Sequence, residues 1–171
     1  MHFSIVIPTY QRKDLLVLCL NGLEHYFLSG ALDHLGHQVD VVVTDDAHDA
    51  SVQRLLGNRY PWCQYLLGPQ RGPAANRNHG ACLSTGDWIV FIDDDCLPQP
   101  GWIEAYATLA NQFDLLEGQT SATGVRTRVD EECPVNEIGG LLWSCNFAIR
   151  RDAFLALSGF NEGFPAPAME D

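Results

Sequence analysis

Three aspartates stand in a row at Asp93, Asp94 and Asp95, directly after the apolar run Trp88-Ile89-Val90-Phe91-Ile92. Adjacent carboxylates repel one another, and without compensation one of them tends to keep its proton. A divalent cation removes that repulsion. Hard oxygen donors suit Mg2+ or Mn2+, with diphosphate oxygens completing the coordination shell. Side chains alternate along an extended chain, so Asp93 and Asp95 are expected to share a face while Asp94 turns aside. The plainer reading is a solvated acidic turn. Position after a buried apolar strand favours a ligand-binding role.

Two more polar groups follow apolar runs. Pro8-Thr9-Tyr10 follows residues 3–7, and Asp45-Asp46 follows residues 39–43. Asp45-Asp46 suits hydrogen bonding to a base or ribose, or the capping of the next helix. Gly72-Pro73-Ala74-Ala75-Asn76-Arg77-Asn78 combines a turn, small residues and a helix start. Small residues admit close backbone approach, and Arg71 and Arg77 can offset phosphate charge. The competing reading there is a packed helix with two surface arginines. Trp143 offers either an aromatic face to a sugar or ordinary core packing.

The elements that must position these groups alternate. Strands are expected at 3–7 (stopped by Pro8), 39–43, 64–67 and 88–92. Helices are expected at 13–28, at 49–56 (Asp49 as N-cap, Gly57 as stop), at 73–83 and from Pro100 to about 112. Beyond Gln112 the pattern predicts strands at 115–120 and 145–149, a loop at 123–137 and a short helix at 152–157. Strands separated by helices imply a parallel sheet with right-handed crossovers. All three polar clusters then gather at the carboxyl ends of the strands, where open α/β sheets bind ligands.

With 171 residues the chain makes one domain with a real core. Ten basic and 22 acidic residues give a net charge of −12, which disfavours a nucleic-acid partner. No signal peptide and no transmembrane segment are evident. The six cysteines form no C-x-x-C pair and read as reduced thiols. No histidine pair has metal-ligand context. No nucleophile elbow or Walker loop is present.

Taken together these residues resemble the family 2 glycosyltransferases of the GT-A fold. The likeness begins with Ser4-Ile5-Val6-Ile7-Pro8-Thr9-Tyr10-Gln11-Arg12 and continues with Val41-Val42-Val43-Thr44-Asp45-Asp46. Residues 72–80 resemble the family's G-x-x-x-A-R-N-x-G stretch, with Asn76 where alanine is commoner. Residues 86–95 resemble its D-x-D strand, 146–164 its acceptor-side segment, and Glu170-Asp171 its E-D pair. Asp46-Ala47-His48 departs from the commoner D-G/N-S.

The resemblance implies an α/β fold, a GT-A-like αβα sandwich around a mostly parallel sheet. It implies a single domain over 1–171, with 1–112 as the nucleotide-sugar-binding half. Because the family usually continues past the E-D pair, 113–171 reads as an incomplete acceptor-side half. Pro8, Thr9, Tyr10, Arg12, Asp45, Arg77, Asp93 and Asp94 would form the nucleotide site. Thr9 and Asp45 would hold the base, Asp93 would contact ribose, and Asp95 would hold the metal, Mn2+ or Mg2+. Asp171 would be the catalytic base, with Trp143, Asn146 and Glu170 on the acceptor side. The implied reaction is inverting transfer from a nucleotide sugar, most commonly a UDP-sugar, to an acceptor hydroxyl on a glycan, lipid-linked or other molecule. The implied location is cytoplasmic, either free or peripheral at the inner face of the membrane. The alternatives are a nucleotide-sugar-binding module without turnover and a nucleotidyltransferase. The latter normally carries glycine in the loop after its first strand, where this chain has Pro8-Thr9-Tyr10-Gln11-Arg12.

Overall fold

The computed structural model describes residues 1–28, 36–47, 49–123 and 134–163. Glu170 and Asp171 therefore lie outside the described residues. A six-stranded sheet runs in the order β3-β2-β1-β4-β6-β5. Its strands are β1 (His2–Thr9), β2 (Gln38–Asp45), β3 (Cys63–Leu67), β4 (Trp88–Ile92), β5 (Leu115–Glu117) and β6 (Asn146–Arg150). The first four are mutually parallel, as their intervening helices require. β6 runs antiparallel to both β4 and β5.

Helices α1 (Lys13–Leu28), α2 (Ser51–Arg59), α3 (Pro73–Leu83), α4 (Trp102–Leu109) and α5 (Arg151–Ala156) complete the fold. Alternation along β1 divides the core into two layers. Phe3, Ile5 and Ile7 join Leu16, Leu20 and Leu23 of α1, Val52 and Leu56 of α2, and Ile103 and Tyr106 of α4. Val6 joins Ala74 and Ala81 of α3 and Phe154 of α5 on the other face. There Phe91 meets Phe147, Phe154 and Phe160 at ring-centroid distances of 5.1, 5.3 and 5.0 Å. The result is the αβα sandwich expected from the sequence.

Gly80 lets α3 lie close on this face. A Cβ there would stand 2.6 Å from Val6 Cγ1 and 2.9 Å from Thr44 Cγ2, inside van der Waals contact. The closeness brings the start of α3 over the ends of β1 and β2.

Several boundaries differ from the sequence-based expectation. Pro8 does not stop β1, which continues to Thr9 in register with Asp45. The Thr9 carbonyl accepts from the Asp46 N–H on the β2 side. Pro8 thus faces the other way, beyond the β4 ladder, which ends at Val6↔Phe91, and its missing N–H deprives the sheet of nothing. Gly57 does not stop α2, which runs to Arg59; Val52 and Leu56 hold the helix on the core through it. Asp49 accepts from the Ser51 N–H but sits one residue before the N-cap, Ala50. Helix α4 starts after a left-handed Gly101 rather than at Pro100. β5 is shorter than expected, and β6 and α5 are displaced by about a residue.

Candidate functional site

The ends of β1, β2 and β4 meet at one rim. Thr9 pairs with Asp45 in the β1–β2 register. Its hydroxyl donates to Asp94 Oδ2 at 2.6 Å. Arg12, in the loop after β1, pairs with Asp94 Oδ1 at 2.6 Å and with Asp95 Oδ2 at 3.0 Å. Arg77 of α3 donates to Asp93 Oδ1 at 2.6 Å, and its guanidinium lies 5.8 Å from the centre of the Phe160 ring. The three polar clusters therefore form one constellation.

The three aspartates differ in environment. Asp94 turns inward and is wholly buried. Burial pushes its pKa up to about 6, against the Thr9 hydroxyl and Arg12, which pull it down. Asp93 is mostly covered, and Asp95 is 45% exposed. The repulsion expected of the triplet is relieved within the chain, because Arg12 and Arg77 supply the compensating charge.

Asp45 is also buried, and burial raises its pKa, opposed by the Ala47 N–H that Oδ1 accepts. Its Oδ2 has no hydrogen-bond partner. Asn76, also buried, donates to the carbonyls of Thr44 at 3.0 Å and Thr9 at 3.4 Å, tying together the ends of the two strands. Asp46 Oδ1 accepts from the Gln70 N–H at 3.0 Å. Gln11 and Gln70 hold left-handed backbone at φ 56° and 61°, strain of the kind that collects at functional sites.

Between these loops lies a cleft of about 640 Å³, lined by Pro8, Thr9, Tyr10, Arg12, Asp46, Gln70, Gly72, Pro73, Asn76, Arg77 and Asp93. Its size is within the range of small-ligand sites. A smaller cleft of about 390 Å³ opens at the other end of the sheet, beside Met1, His2 and Asp87, away from every residue singled out above. Of the expected nucleotide residues, Pro8, Thr9, Tyr10, Arg12, Arg77 and Asp93 line the larger cleft; Asp45 and Asp94 stand behind its wall. Asp46, Gln70 and Asn76 belong to the lining as well. No local signal singles out Gln70, since its part depends on the fold of the loop after β3.

Of the residues expected on the acceptor side, Asn146 and Trp143 lie on the flank. Asn146 pairs with Ile92, so the start of β6 sits beside the end of β4. Its side-chain amide is committed: Oδ1 accepts from Trp102 Nε1 and the Tyr106 hydroxyl, each at 2.7 Å, and Nδ2 donates to the Gln119 carbonyl. Trp143 is half-buried, and its carbonyl accepts from the Asn146 N–H. Arg71 is exposed and pairs with Glu162 at 2.9 Å.

Among the described residues, no three His, Cys, Asp or Glu side chains are grouped as a metal cage. The donor set does fit a cation held by one or two carboxylates with phosphate oxygens supplying the rest, as Mg2+ commonly is. Asp95 presents a half-exposed carboxylate beside the cleft residue Asp93.

Residues 4–132 match the family model described as Glycosyl transferase family 2. The chain belongs to glycosyl transferase family 2. An uncharacterized glycosyltransferase of Haemophilus influenzae is 30% identical over 92 residues, which cover 54% of this chain and 29% of that protein. Two solved structures share the fold of this family 2 chain. S. aureus TarS 1-349 in complex with UDP-GlcNAc has a TM-score of 0.69 at 21% identity, covering 94% of this chain and 49% of its own. The mannosyltransferase PcManGT from Pyrobaculum calidifontis, in complex with GDP-Man and Mn2+, has a TM-score of 0.68 at 18% identity, covering 96% and 48%. The chain thus spans about half of these solved proteins and less of the curated relative. These likenesses place it in the GT-A fold.

Proposed function

We propose that this chain binds a nucleoside-diphosphate sugar and takes part in its inverting transfer to an acceptor hydroxyl. The observation that carries the reading is the meeting of Thr9, Arg12, Arg77 and Asp93 in the lining of one cleft, with Asp94 and Asp95 paired to Arg12 beside it. The family match and the nucleotide sugars named with the two solved neighbours support it.

In this reading Asp45 and Thr9 hold the base side of the donor, with Asn76 keeping their strand ends together. Asp93, oriented by Arg77, faces the ribose. Asp94 is a structural anchor that positions Thr9 and Arg12. Asp95 would hold Mn2+ or Mg2+, which when bound offsets the charge of the departing diphosphate. Arg12 and Arg77 add fixed positive charge where the chain as a whole is acidic. Asp171 would accept the proton of the acceptor hydroxyl; such general-base help is worth roughly 10²–10⁴ in rate. UDP is the first nucleotide to try. The proposed location is cytoplasmic, at the inner face of the membrane; among the described residues, no helix is long and apolar enough to cross a membrane.

A thermal-shift panel of nucleoside diphosphates and nucleotide sugars, with and without MnCl2, tests the reading. Selective binding raises the melting temperature. A flat response to every nucleotide would rule it out.

A further inference from the structure

Asp94 Oδ2 accepts from the Thr9 hydroxyl, and Oδ1, which has no hydrogen-bond partner, is ion-paired with Arg12 Nη2 at 2.6 Å. Because Asp94 is wholly buried, breaking its pair with Arg12 leaves an uncompensated carboxylate in the interior, a severe penalty. The second contact of Arg12 is of another kind. Asp95 is 45% exposed, and its bond from Arg12 Nη1 is 3.0 Å long at a solvent-facing edge. Pairs of that sort are weak and readily exchanged. One guanidinium thus has a firm anchor and a loose contact, and it lines the donor cleft.

We infer that Arg12 is a built-in counter-ion for the metal position, held by Asp94 and occupying Asp95 until a divalent cation arriving with a nucleoside diphosphate displaces it. The inference rests on the donor-binding reading above. A cation and a guanidinium compete for the same carboxylate oxygen. A guanidinium carries five N–H donors in a planar fork, so those released from Asp95 become available to phosphate oxygens while the charge stays paired with Asp94. Cation alone must pay for displacing Arg12. Cation with diphosphate brings the negative charge that both positive groups then share. Metal and nucleotide therefore favour each other's binding, by equal factors.

The test measures Mn2+ binding without nucleotide, by the paramagnetic resonance of free Mn2+, and UDP and GDP binding by calorimetry. Arg12→Gln is expected to bind Mn2+ alone roughly threefold more tightly, the scale of an exposed ion pair. The same variant is expected to bind the nucleoside diphosphate with Mn2+ at least about tenfold more weakly, through loss of charge-assisted hydrogen bonds. Asp95→Asn leaves the Arg12–Asp94 pair intact and frees the other side of the guanidinium. It should bind metal-free nucleoside diphosphate more tightly than wild type, and the gain should vanish in the double variant. Unchanged Mn2+ affinity in Arg12→Gln, or a gain that survives in the double variant, overturns the exchange and leaves donor binding standing. Should Arg12→Gln fail to fold, the Asp95→Asn arm decides alone: no gain in metal-free affinity overturns the proposal. Wild-type protein that binds neither nucleotide under any condition removes the underlying reading as well.

Discussion

The Thr9 hydroxyl donates a 2.6 Å hydrogen bond to Asp94 Oδ2, joining the ends of β1 and β4 across 85 residues of chain. The bond fixes one wall of the cleft. Thr9→Val keeps the side chain's shape and removes the donor. Stability at pH 7 should fall by about 1–3 kcal/mol, because a buried carboxylate loses a partner. Urea denaturation measures the loss; an unchanged midpoint would mean that the bond does not hold the strand ends.

Asp94 also makes stability depend on pH. Its pKa is raised from 3.8 to about 6 in the folded chain, chiefly by burial. Between those values the folded state keeps a proton that the unfolded state has lost. The contribution of Asp94 is therefore fully present below about pH 4 and is lost as pH rises through about 6. Asp94→Asn has no such titration. Denaturation curves from pH 4 to 7 should show wild type losing ground to Asp94→Asn as pH rises; a constant difference would contradict the assignment.

Gly68 is predicted to tolerate no side chain. A Cβ there would lie 2.1 Å from Asp46 Oδ1 and 2.5 Å from Asn76 Oδ1, with the Asp45 backbone at 3.1 Å. Gly68→Ala must push apart residues of the cleft wall, and overpacking of this kind destabilises by about 1–3 kcal/mol. Nucleotide affinity should fall with it. Calorimetry alongside a melting curve separates the two effects; wild-type affinity in the variant would show that the wall is not part of the site.

The loop at residues 136–142 depends on Glu117. Its carboxylate accepts from the backbone N–H groups of Gly140, Leu141 and Leu142 and from Asn136 Nδ2. Burial pushes its pKa up, but those hydrogen bonds outweigh it and hold the group below its ordinary range. Glu117 thus supports the loop above the ordinary carboxylate range, and the support is lost as pH falls through the depressed value. Amide hydrogen exchange should show Gly140 to Leu142 less protected in Glu117→Gln than in wild type at pH 7. Equal protection would leave Glu117 without this role.

The elements with strong local signals were legible in the sequence. α1, α3 and β4 take the bounds read from it, because a long apolar stretch, Pro73 at a first turn and an unbroken apolar strand leave little choice. The gathering of Thr9, Asp45 and the triplet at one rim followed from parallel topology alone. What was hidden depends on distant partners. Pro8 continues β1 because the β4 ladder ends before it, a fact about β4. Asp94 was expected to turn aside, and nothing local told that it would be anchored by Thr9 and Arg12. The grip of Glu117 on residues 136–142 had only Gly139-Gly140 as a hint, since its carboxylate binds backbone N–H groups more than 20 residues away.

In the proposed function the cleft holds a nucleoside diphosphate through a cation at Asp95. Isothermal titration of UDP and of GDP into wild type and Asp95→Ala, each with Mn2+ and with chelator, tests it most directly. Mn2+-dependent binding of one nucleotide is expected in wild type, with no Mn2+-dependent gain in Asp95→Ala. Equal Mn2+-dependent affinity in the two proteins would contradict it.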